Sequence, residues 1–105
     1  IPVVDSYAWR KYQVYWGGLD APRHLFLHTV KSIEVLASNA GLHLKRVGYD
    51  STDFQFVSSE KYLRNMNLQE PLEIFGKEQI REFKKEASRL NKVRDGDWAF
   101  FYLTK

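Results

Sequence analysis

The stretch Trp98-Ala99-Phe100-Phe101-Tyr102-Leu103 decides the fold class of this 105-residue chain. It carries no charge, is rich in aromatics and is too short for a helix. It reads as a strand apolar on both faces, which calls for a packed layer on each side rather than one wet face. Asp95-Gly96-Asp97 immediately before it marks a turn. The segment upstream supplies one layer. From about Lys77 to Asn91 the residues Ile80, Phe83, Ala87 and Leu90 form an apolar helical stripe. Glu78, Glu82 and Glu86 stand beside Arg81, Lys85 and Arg89 at i, i+3 spacing, the pattern of a solvated, self-paired face.

Further upstream, residues 30–40 read as a second helix, with Val30, Ile33, Leu36, Ala37 and Ala40 on one face. Thr29 is its candidate N-cap, and Gly41 stands where a left-handed residue closes a helix. Residues 42–50 then read as a strand. Leu42 and Leu44 alternate, and the phase slips before Val47 and Tyr49, so a bulge is expected near Arg46. Ser58 or Ser59 is expected to cap a short helix through about Met66, and residues 67–75, with Pro71, to form a connection. The opening, Ile1-Pro2-Val3-Val4-Asp5-Ser6, reads as the last residues of a strand entering a loop, cut from something longer. Residues 7–28 are aromatic and broken by Gly17-Gly18 and Pro22. They read as a loop with a short helix near Tyr7–Tyr12, and loops of that length are usually functional.

The order strand end, loop, helix, strand, short helix, helix, strand is α/β. One domain over 1–105 is expected: a loop region at 1–28 and a helix-strand-helix-strand unit at 29–105. Two helices and a short one barely cover both faces of such a sheet. An open edge or an uncovered face is therefore expected.

Composition narrows the function classes. The net charge is +3, with 16 Lys and Arg mixed among 13 Asp and Glu, so no basic footprint for nucleic acid stands out. The absence of cysteine excludes disulfides, a thiol nucleophile and a thiolate metal site, and fits a reducing, cytoplasmic setting. Three scattered histidines do not make a metal site. No apolar run is long enough to span a membrane.

The stretch Tyr12-Gln13-Val14-Tyr15-Trp16-Gly17-Gly18-Leu19-Asp20-Ala21-Pro22-Arg23-His24-Leu25-Phe26-Leu27-His28-Thr29 is the most specific signal. It resembles a region of bacterial class I S-adenosylmethionine-dependent methyltransferases, where a Trp and an Asp-x-Pro-Arg-His-like string precede a helix closed by a Gly. The resemblance extends over the chain, least specifically at 59–95. It implies the carboxyl-terminal part of a Rossmann-like fold: the end of strand five at Ile1–Ser6, strand six at Leu44–Ser51 and an antiparallel strand seven at Trp98–Leu103.

That resemblance places the cofactor site in an amino-terminal half. There a Gly-rich turn and an acidic residue would hold S-adenosylmethionine. Gly17-Gly18 follows no strand, and a turn is the better reading. No cofactor is therefore expected on these residues alone. The loop after strand five would face the acceptor, a small molecule or glycan. His24 is the candidate catalytic base, because imidazole titrates near neutrality; bracing the following helix is an equal alternative. Arg23 could grip an anionic group or pair with Asp20. Tyr12, Tyr15 and Trp16 could wall an acceptor pocket or pack the loop onto the domain. His28 reads as structural and His43 as exposed. The expected transferase partners are thus an acceptor and the amino-terminal half of the same protein, with neither nucleic acid nor membrane. A non-catalytic interaction module, using the aromatic loop and an open sheet edge for self-association, is the alternative.

Overall fold

A computed structural model describes residues 1–19, 26–66 and 74–105. Helix α1 spans Tyr7–Tyr12 and is followed by 3-10 turns at Gln13–Tyr15 and Gly17–Leu19. Helix α2 spans Val30–Asn39, strand β1 His43–Tyr49, helix α3 Phe54–Leu63, helix α4 Lys77–Lys92 and strand β2 Ala99–Thr104. The molecule therefore mixes helices with a sheet, as the element order required.

Local chemistry accounts for the boundaries. Ser6 caps α1 by accepting from the Trp9 amide. Thr29 and Ser32 form a reciprocal capping box at the start of α2, which satisfies two otherwise orphaned amides. Gly41 follows with φ of 77°, a conformation that an L side chain resists. In β1 the register slips between Leu44 and Arg46, at the place where the hydrophobic phase slips.

The strands β1 and β2 are antiparallel, pairing Gly48 with Phe100 and Tyr49 with Ala99. On its other side, the start of β2 is bonded to the first residues of the chain. Pro2 bridges Trp98 antiparallel, the Ile1 carbonyl accepts from the Ala99 amide, and the Val3 amide donates to the Asp97 carbonyl. Ile1–Val3 and β1 consequently run parallel to each other, with the antiparallel β2 between them.

The core lies mainly under the helices. Ala8, Tyr12, Trp16, Phe56, Ala87 and Leu90 form its buried cluster. Phe56 stacks on Phe83 at 5.3 Å, and Phe75 meets Phe83 edge-on.

Two expectations need correction. Ser58 and Ser59 do not start a helix; they are buried in the middle of α3. Ser58 Oγ donates to the Phe54 carbonyl, and Ser59 Oγ accepts from the Gly17 amide. Small side chains are needed there because the Gly17 turn presses on α3: a Cβ at Gly17 would stand 2.7 Å from Ser58 Cβ. The second correction concerns β2, which is not buried on both faces. Ala99 is buried, yet Tyr102 is 56% exposed and Leu103 is exposed. Arg46 lies over the Phe100 and Tyr102 rings on the face that also carries Gly48, whose missing Cβ makes room for Phe100. Along α4, of the expected ion pairs, Glu86 with Arg89 is formed. That contact holds the Glu86 carboxyl below its ordinary range.

Candidate functional site

The residues singled out from sequence fall in three different settings. Asp20, Arg23 and His24 lie outside the described residues. Tyr15 sits exposed on a 3-10 turn. Tyr12 and Trp16 are drawn into the core by the turns that follow α1. The Tyr12 hydroxyl donates to Glu60 Oε2 at 2.9 Å. Burial, then that bond, pushes the phenol well above its ordinary range, so Tyr12 stays protonated and cannot serve as a base near neutrality. Trp16 is 1% exposed, and its Nε1 donates to Asp97 Oδ2 at 3.0 Å. His28 is tied into the α2 cap, with Nδ1 3.1 Å from Ser32 Oγ.

The glycine pair has the wrong surroundings for a cofactor cradle. A Cβ at Gly17 would run into Ser58, and one at Gly18 into the Trp16 ring at 2.3 Å. Both glycines admit the chain's own side chains rather than a ligand. Among the described residues, Gly17-Gly18 thus offers no cradle for a cofactor. Among them, no group of three His, Asp or Glu side chains is placed to hold a metal ion.

A different set of residues builds a concave site. Asp50 and Thr52 leave the end of β1, Phe54 and Gln55 open α3, and Asp97 and Trp98 lead into β2. Together they line a cavity of about 260 Å³. A clamp fixes Ser51, which lies between the lining residues Asp50 and Thr52. Asn91 of α4 grips Ser51 twice, its Oδ1 accepting from the Ser51 amide at 3.0 Å and its Nδ2 donating to the Ser51 carbonyl at 2.9 Å. Ser51 Oγ in turn accepts from the Trp98 amide at 2.8 Å. A Cβ at Gly96 would collide with both Ser51 Oγ and Asn91 Oδ1, which is why a glycine stands there.

Two polar side chains in this cavity are almost fully buried, Asp97 and Gln55, each 2% exposed. Gln55 Nε2 donates to the Thr52 carbonyl, but Gln55 Oε1 and Asp97 Oδ1 have no hydrogen-bond partner among the described residues. Buried acceptors left open are costly and call for explanation. Sequence reasoning took Asp97 for a turn residue and passed over Gln55, Ser51 and Asn91. These residues are brought together by contacts between segments some 40 residues or more apart.

No protein-family model, no curated protein and no solved structure matches this chain. What can be said of the site therefore rests on its own geometry.

Asp97 has a testable electrostatic consequence. Burial pushes its carboxyl above the ordinary value near 3.8, against the opposing pull of the Trp16 and Ser51 hydrogen bonds. A raised carboxyl in the fold means that the native state holds its proton more tightly than the unfolded chain. Its contribution to stability is full below the unfolded value and is lost as pH rises through the folded value. Asp97→Asn keeps an acceptor for Trp16 without the charge. Denaturant titrations at several pH values should show the wild type losing ground to Asp97→Asn as pH climbs out of the acid range. A wild type that instead gains on the variant would contradict this account.

Proposed function

We propose that these residues form the carboxyl-terminal, substrate-side part of a class I S-adenosylmethionine-dependent methyltransferase with a Rossmann-like sheet. The intact enzyme would work in the cytoplasm on a small-molecule or glycan acceptor. The supporting observation is topological. Of the segments that the resemblance assigns to strands five, six and seven, the last two pair as the antiparallel strands β1 and β2, and the first lies along the other side of β2, joined to it by the Pro2–Trp98 bridge and the bonds of Ile1 and Val3. In open α/β sheets, ligands collect beyond the carboxyl ends of the parallel strands. Residues 5–28 leave from such an end, so Tyr15, Asp20, Arg23 and His24 are the residues this reading assigns to the acceptor, with His24 as base.

On this reading the amino-terminal half of the same protein supplies the cofactor pocket and covers part of the sheet. Calorimetry on the intact protein is the direct test. Binding of S-adenosylmethionine by the intact protein, and none by residues 1–105 alone, is the expected pair of results. Failure of the intact protein to bind the cofactor, or binding by the isolated chain, would sink the assignment. Labelled-methyl transfer across a panel of small-molecule and glycan acceptors would then name the substrate.

One observation favours a second reading, a non-catalytic interaction module. Among the described residues β1 pairs only with β2, and the neighbouring Tyr102 and Leu103 are exposed. An unpaired edge beside apolar surface invites another chain. Light scattering of the isolated chain over a concentration series separates the two readings: self-association that persists in the intact, cofactor-bound protein would favour the module.

A further inference from the structure

Among the described residues, the cavity at the strand ends has acceptors to spare and no cation. Gln55 and Asp97 line it, and their Oε1 and Oδ1 atoms are buried and without hydrogen-bond partners among the described residues. The Asp50 carboxylate stands exposed at its rim, and the rings of Trp98 and Phe54, both partly exposed, complete its lining. Among the described residues, no lysine, arginine or histidine lines it. The Gln55 amide nitrogen and the Thr52 hydroxyl oxygen are already engaged, with the Thr52 carbonyl and the Phe54 amide respectively. A ligand that suits this lining brings N–H donors, positive charge and a small apolar body.

We infer that this cavity is a binding site for the cationic amine of a small organic molecule, with Asp97 and Gln55 receiving its N–H groups in the depth, Asp50 at the mouth, and Trp98 and Phe54 against its carbon skeleton. An ammonium group has three donors and no acceptor, which matches two open acceptors and a carboxylate. Aromatic faces attract organic cations beyond their value as apolar surface. A neutral alcohol supplies a donor and leaves two carboxylates without counter-charge. The volume, about 260 Å³, lies just under the roughly 300 Å³ at which ordinary ligand pockets begin, so one amine with a short substituent fits. The cavity opens where β1 ends and β2 begins. This inference does not rest on the methyltransferase reading, and no cofactor enters its test.

The test is a nuclear magnetic resonance titration of the isotopically labelled chain with n-butylammonium, using n-butanol as the neutral molecule of matching shape. Saturable shifts are expected at the amides of residues 50–55 and 97–98 and at the Trp98 indole. Affinity for n-butanol should be at least about tenfold weaker. Asp50→Asn should cost n-butylammonium about tenfold as well, and its exposed position leaves the core untouched. Asp97→Asn should weaken binding further where circular dichroism shows it folded; if it does not fold, the Asp50→Asn and butanol comparisons decide. Absence of a saturable shift with n-butylammonium, equal affinity for n-butanol, or an unchanged affinity in Asp50→Asn would each overturn the inference.

Discussion

Replacing Trp16 by alanine should lower the stability of the fold by about 3–5 kcal/mol, the range for deleting a large buried aromatic. The ring is 1% exposed, meets Trp9 edge-on at 6.1 Å and belongs to the same buried cluster as Tyr12, Phe56 and Leu90. Its shape is written into the neighbouring sequence, because Gly18 must lack a Cβ to let the ring lie where it does. Trp16→Phe should cost less, about 1–3 kcal/mol, since most of the apolar contact survives while Asp97 Oδ2 loses its donor in a buried place. Urea unfolding curves measure both. The outcome also decides between two uses of an aromatic residue. A Trp16→Ala protein of unchanged stability would remove the packing role and return Trp16 to the wall of an acceptor pocket.

The legible parts of the fold were those whose signals are local. The α2 boundaries follow from Thr29 and Gly41, and the β1 bulge from a slip in hydrophobic phase between Leu44 and Val47. Helix α4 follows from its apolar stripe. The pairing of β2 with β1 was expected only through the resemblance.

What stayed hidden depends on partners distant in sequence. A serine such as Ser58 can cap a helix or fill a tight space inside one, and the Gly17 turn, some 40 residues away, decides which. The wet face of β2 was misread because an apolar strand looks the same whether its covering layer is present or not. Tyr102 illustrates this, aromatic yet more than half exposed. The cavity was invisible for a similar reason. Asp97 sits in an Asp-Gly-Asp string that signals a turn, and nothing nearby says that its carboxyl will be buried beneath Trp16.

The clamp around Ser51 yields the second large effect. Asn91→Ala should destabilise the fold by about 2–4 kcal/mol, because it strips partners from both the amide and the carbonyl of Ser51, each costing about 1–3 kcal/mol when left unsatisfied. Ser51 is buried, so water cannot readily replace the lost side chain. Asn91→Asp separates the two bonds. Its carboxylate still accepts from the Ser51 amide, but the oxygen that replaces Nδ2 faces the Ser51 carbonyl, so the variant should be no better than alanine above the carboxylate range and should recover partly on acidification. Thermal unfolding at two pH values distinguishes these cases. Because the Ser51 hydroxyl holds the Trp98 amide, the same variants should also loosen the start of β2, seen as faster hydrogen exchange at Trp98 and Ala99 than at Val47 or Phe101. Uniform acceleration across β1 and β2 would instead mean that Asn91 supports the whole sheet rather than the strand end at Ser51 that it grips.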